Sequence, residues 1–181
     1  MKTIVLLTLG AAWAASLSLA AALPPPPTGY KLEQDPMGDM LKSSHTGEQI
    51  TATKVNDKWP GCAGDASIHL QYGWENMDGA AAFVDLMAKG PEDPAGLLGQ
   101  GDAPAGKKLY LGGLLTWRKI TGRAVGCAQS NLVTFNGTWI GASGGKLITV
   151  SVTHMLASPD PAQALIDDYV GKVRAALGVA K

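Results

Sequence analysis

Between residues 146 and 178 the chain carries two hydrophobic periods in succession, and together they admit few folds. In the first stretch Ile148, Val150 and Val152 alternate with Thr149, Ser151 and Thr153. That period of two marks a strand with one buried face. In the second, Ala162, Leu165, Ile166, Tyr169, Val170, Val173 and Leu177 recur every three to four residues, the period of a helix. Asp160 stands where an N-cap belongs, Pro161 at the first helical position, Gln163 at the third as in a capping box, and Gly178 at the stop. An apolar stripe this wide must be buried, most simply across a sheet.

The rest of the chain supplies that sheet. Residues 49–59 alternate loosely through Ile50, Ala52 and Val55. In residues 66–74, Ile68, Leu70, Tyr72 and Trp74 share one face, while Ser67, His69, Gln71 and Gly73 share the other. Residues 108–120 read as a strand with Leu109, Leu111, Leu115 and Trp117 on one face, and Gly112-Gly113 as a hairpin turn or bulge. Residues 128–142 carry Val133, Phe135 and Trp139, with Asn136-Gly137 as a candidate type I′ turn, and Ser143-Gly144-Gly145 as a second turn. A further helix is expected over residues 79–89, capped by Asp78, with Ala80, Phe83, Val84 and Met87 on one face and Gly90-Pro91 as its stop. A short helix around Met37, Met40 and Leu41 is a weaker expectation. Strands joined by short links favour antiparallel pairing. The expected fold class is therefore α+β: a twisted, mostly antiparallel sheet with the C-terminal helix and the second helix packed on one face.

The N-terminal residues bear on the compartment. Met1-Lys2 is followed by an apolar run from Ile4 to Ala22 that ends in small residues, the layout of a secretory signal peptide. Residues 1–22 are expected to be this leader, residues 23–29 (Leu23, Pro24 to Pro27, Thr28, Gly29) a proline-rich tether, and residues 30–181 a single domain. No Cys follows the apolar run to take a lipid. The Ala- and Gly-rich composition suits a bacterial chain exported to the periplasm or secreted, with no membrane span after leader removal. Cys62 and Cys127 both sit beside glycines and are expected to form one disulfide in that oxidising compartment. The loop it would close, about 65 residues long, corresponds to about 4 kcal/mol in the chain-entropy model.

Formal net charge is zero, and no basic cluster is dense enough to follow a phosphate backbone, so nucleic acid is not an expected partner. Gly141-Ala142-Ser143-Gly144-Gly145 matches G-x-S-x-G, but a strand pattern follows it where the nucleophile elbow needs a helix. A secreted serine hydrolase using Ser143, with His154 as its base, is the alternative reading. His45, His69 and His154 are the three histidines; His69 and His154 are the candidate metal ligands, although their spacing makes no zinc motif. No cofactor is expected. The Gly-, Pro- and Asp-rich residues 90–107, with Leu97-Leu98 as their apolar pair, form a loop long enough to suggest a role. Leu97, Leu98, Trp74 and Trp139 are the candidate partner-binding residues. The leading expectation is an exported, non-catalytic domain that binds a protein or a small molecule.

Overall fold

A computed structural model describes residues 22–33, 46–58, 65–90, 105–122, 132–154 and 160–179. The elements, in chain order, are β1 (Lys31–Leu32), β2 (Gly47–Lys58), β3 (Asp65–Asn76), α1 (Ala80–Lys89), β4 (Ala105–Tyr110), β5 (Gly113–Gly122), β6 (Leu132–Ser143), β7 (Lys146–His154) and α2 (Asp160–Ala176). The strands form one antiparallel sheet in the order β1-β2-β3-β7-β6-β5-β4. The fold is α+β and mostly sheet. From β3 the chain crosses through α1 to the far edge at β4, then returns strand by strand until β7 pairs with β3.

The turns explain how the meander closes. Between β6 and β7, Gly144 and Gly145 take φ of 55° and 74°, the two left-handed residues of a type I′ hairpin. Between β4 and β5 the same positions are held by Leu111 (φ 49°) and Gly112 (φ 70°). A leucine there costs about 1 kcal/mol of backbone strain. Arg174 on α2 donates from Nη1 to the Leu111 carbonyl at 2.7 Å, which braces the turn. The turn expected at Gly112-Gly113 falls one residue earlier, at Leu111-Gly112, and divides the apolar face expected of Leu109, Leu111, Leu115 and Trp117. Leu109 pairs with Leu114 rather than lining up with Leu115, and it is 77% exposed on the edge strand.

Asn136-Gly137 is not a turn: β6 runs straight through it. Turn chemistry and close packing both select glycine, and here packing decides. A Cβ on Gly137 would lie 2.9 Å from Ile166 Cδ1 of α2 and 2.8 Å from the Phe135 ring. The helix comes this near to the sheet because residue 137 has no side chain.

The two helices cover opposite faces, which departs from the one-sided arrangement expected. Successive residues alternate sides in a strand. Leu115 and Ile148 join the cluster under α2, whereas their neighbours Leu114 and Leu147 join Ala80 and Val84 of α1. The sequence showed α1 an apolar stripe but not which side would receive it. Its N-cap is Gly79 (φ 78°), with no side-chain cap hydrogen bond, so Asp78 stands one residue short of the expected role. At its other end Lys107 of β4 donates to the carbonyl oxygens of Ala88 (2.7 Å) and Gly90, satisfying carbonyls that a helix end leaves open.

The α2 face holds the main core. Leu70, Tyr72, Trp139, Ile148, Val150 and Val152 of the sheet meet Ala162, Ile166, Tyr169, Val170 and Val173 of the helix, all buried. Each large apolar side chain removed from water in this way contributes about 1.5–3 kcal/mol. Gly178 (φ 69°) ends the helix as the sequence implies, with Val179 N donating to Arg174 O at 2.9 Å. Gln163 donates its amide to Asp167 four residues on, at 2.7 Å.

The proline-rich residues carry tertiary contacts. Leu23 is buried in the main core. Tyr72 donates its hydroxyl to the Pro24 carbonyl at 2.5 Å, and Tyr169 donates to the Pro25 carbonyl at 2.7 Å. The two rings lie 4.6 Å apart, centroid to centroid. Prolines have no N–H, but their carbonyls accept, and a preset backbone loses little entropy on docking. Burial pushes the Tyr72 hydroxyl up to about 12. Tyr169 is raised as well, by burial first and then by Tyr72, Asp168 and Tyr30.

Residues 1–21 of the expected leader, the short helix near Met37, and Cys62, Cys127, Leu97, Leu98 and His45 lie outside the described residues. Among the described residues no helix is long and apolar enough to cross a membrane.

Candidate functional site

α2 packs across β3, β6 and β7 on one face of the sheet, and α1 across part of the other. Beyond α1 this second face is lined, among the described residues, by polar side chains, half-buried to exposed except for the buried Arg118. Strand register assigns its side chains row by row. One row crosses six strands as Thr51, Gln71, Ser151, Thr138, Thr116 and Lys107. The next crosses five as Thr53, His69, Thr153, Asn136 and Arg118. Neighbours within a row stand about 4.8 Å apart, and the rows are separated by about 6.7 Å. Thr138 and Ser151 bond through their hydroxyls at 2.9 Å, and Thr116 donates to the Thr138 carbonyl at 3.2 Å.

The third row is where α1 begins to intrude. It reads Gln49, Gly73, Thr149, Ile140 and Leu114, and Ile140 and Leu114 pack beneath the helix. Gly73 leaves a gap in this row. A hollow of about 350 Å³ opens here, lined among others by Gln49, Gln71, Gly73, Thr138, Thr149 and Ser151. Glu48, Glu75 and Trp74 also line it, and Lys146 sits over the Trp74 ring, 4.0 Å from its centroid. No side chain fits at residue 73, because a Cβ would stand 2.8 Å from the Gln49 Cα across the strand gap.

The second row contains a closed hydrogen-bond chain. His69 and Ser67 lie two apart on β3, so both point to the open face. Ser67 Oγ is 2.9 Å from His69 Nε2. On the other side of the ring, Nδ1 lies 2.9 Å from Thr53 Oγ1 and 3.2 Å from Glu33 Oε1. Thr53 donates its hydroxyl to the same Glu33 oxygen. Glu33 is held in place by its own N–H, which donates to Thr51 O at 2.9 Å and extends the pairing of β1 with β2. The carboxylate can only accept, so in the neutral ring Nδ1 is the donor and Nε2 accepts from Ser67. The His69 side chain is 43% exposed.

The residues singled out from sequence fall elsewhere. Ser143 closes β6 beside the Gly144-Gly145 turn, and His154 closes β7 at its opposite end. Eight residues of strand, about 27 Å, separate the two ends. His154 is 2% exposed, on the α2 side of the sheet. His69 is its diagonal neighbour but faces the open side, so the two histidines point away from each other. Among the described residues no group of three His, Cys, Asp or Glu is placed to hold a metal ion. Trp139 is buried, gives its indole N–H to the Tyr110 carbonyl at 2.7 Å, and fills space left by Gly113 and Gly141. Trp74 shares the strand face of Leu70 and Tyr72, packs half-buried against the main core and borders the hollow; Leu97 and Leu98 lie outside the described residues.

Sequence reasoning placed Ser67, His69, Gln71 and Gly73 on one face of a half-buried strand and singled out His69 alone among them, as a candidate metal ligand. Nothing in the spacing of Glu33 and His69, 36 residues apart, announces their pairing. Comparison of the chain with protein-family models, with curated proteins and with solved structures finds no match.

Proposed function

We propose that this chain is an exported domain that binds a small hydroxyl-rich molecule on the open face of its sheet. The supporting observation is the hollow over Gly73, set among rows of Thr, Ser and Gln side chains. A solvent-facing side of an antiparallel sheet is polar by default. This face differs in having a depression of ligand size, floored by a glycine that no other residue can replace without moving the adjacent strand.

The lining defines the ligand class. Hydroxyls and amides both donate and accept, which matches the alternating groups of a sugar or polyol. Glu75 at the hollow disfavours anions and tolerates an amine. Export rests on the apolar N-terminal run, and the disulfide between Cys62 and Cys127 rests on the compartment that export implies. A protein partner engaging Leu97 and Leu98, in the loop that leads into β4, belongs to the same reading of an accessory domain.

Native mass spectrometry of the protein purified from the exported fraction of its host tests these points together. The expected spectrum shows a chain shortened by the leader, lighter by two protons for the disulfide, and carrying a small polar adduct. Ser151→Leu, which fills the hollow, removes the adduct while leaving the thermal midpoint in place. An adduct that persists in Ser151→Leu contradicts the site.

A further inference from the structure

We propose that Ser67 is a nucleophile activated by His69 and oriented through Glu33, and that this end of the open face hydrolyses small acyl esters of hydroxyl-rich molecules. The inference goes beyond ligand binding, because it concerns the second polar row rather than the hollow. It is carried by the order of contacts along one line: carboxylate to Nδ1, Nε2 to serine hydroxyl. That order gives a serine–histidine–carboxylate triad its function. The carboxylate fixes the tautomer, the free Nε2 takes the serine proton, and the hydroxyl becomes the attacking oxygen.

The alternative for such a network is plain surface hydrogen bonding, and two features weigh against it. Both ring nitrogens of a half-exposed histidine are engaged by protein groups, although water was available to each. Glu33 also takes a second hydrogen bond, from Thr53, on the oxygen that faces Nδ1. An imidazolium formed during reaction would meet a carboxylate already held in position.

The chemistry balances without any further reagent. Ser67 Oγ bonds to the ester carbonyl carbon as its proton passes to His69 Nε2. The carbonyl electron pair moves onto oxygen and returns as the bond to the alkoxy oxygen breaks. The departing alcohol takes the proton from Nε2. Water then gives a proton to Nε2, attacks the acyl-serine, and releases the carboxylic acid with Ser67 restored. The network stands on an open sheet, so the acyl group it serves is short and approaches from solvent. Gln71, two residues beyond His69 on the same face, lines the hollow, which places an ester carried by a bound polyol within reach.

The test uses the full chain with a fluorophosphonate probe and with p-nitrophenyl acetate. Wild type is expected to be labelled on the peptide containing Ser67, and Ser67→Ala to lose both label and turnover. His69→Gln should lower turnover by roughly 100-fold or more, the usual range for loss of a general base. Glu33 is a positioning residue: Glu33→Gln should shift the pH profile of the rate, which a merely structural carboxylate would leave unmoved. Ser143→Ala should keep full labelling. Equal thermal midpoints separate these effects from unfolding, and adduct retention by Ser67→Ala separates this proposal from the binding reading. Absence of wild-type labelling, or labelling that survives Ser67→Ala, overturns it.

Discussion

The two faces of the sheet come from the same strands, residue by alternate residue, yet they do different things. One face is Leu70, Tyr72, Trp139, Val150 and Val152, sealed under α2 with the docked prolines against its tyrosines. The other presents Gln71, Thr138, Ser151 and their neighbours, and α1 covers only its upper part. A period of two lets a single strand stabilise with one set of side chains and bind with the other. The division places the main core under α2 and leaves the opposite face to the binding proposed above.

Substitution should expose the asymmetry. Trp139→Ala on the sealed face is expected to cost about 3–5 kcal/mol, the range for deleting a large buried aromatic, read as a lower denaturant midpoint. A chain shortened to begin at Thr28 loses the burial of Leu23 and leaves two tyrosine hydroxyls without their carbonyl partners. It should lose about 3 kcal/mol from the burial term and two hydrogen bonds together. Unchanged stability would return residues 23–27 to the role of a free tether. Gly137→Val drives a side chain against Ile166 and Phe135 and should cost about 1–3 kcal/mol by overpacking.

Alkaline titration offers a milder probe of the same face. Burial raises the Tyr72 hydroxyl to about 12. A group whose folded value is raised contributes stability that is intact below its unfolded value, near 10, and is lost as pH climbs to the folded value. Thermal midpoints should hold up to about pH 10 and fall between pH 10 and 12, and Tyr72→Phe should flatten that fall. The smallest effect belongs to the open face. Thr149→Ala should change stability by less than about 0.5 kcal/mol while weakening adduct retention. A large loss there would erase the distinction between the faces.

The sealed face was legible in the sequence and the open face was not. Ile148, Val150, Val152 and the stripe from Ala162 to Val173 declare burial through their period, and burial is what periodicity reports. Gly144-Gly145 also read correctly as a turn, because a type I′ hairpin needs two left-handed residues in succession and glycine adopts that conformation at little cost. Asn136-Gly137 misled because the same dipeptide also serves where a helix presses on a strand. The side on which α1 packs depends on the crossover from β3 to β4, a long-range choice that no local pattern encodes. The polar rows and the Glu33–His69–Ser67 line depend on strand order and register. His69 was visible as a histidine on a polar face; its partners became visible only once β1, β2 and β3 lay side by side.

The most direct test of the central claim, that the open face is the binding face, is an amide-resolved NMR titration of the mature chain with neutral monosaccharides and amino sugars. The account predicts that at least one of them shifts Gln71, Gly73, Thr138, Thr149 and Ser151 together, and that Ser151→Leu abolishes those shifts. Shifts centred on α2, or no response to any member of the set, would contradict it.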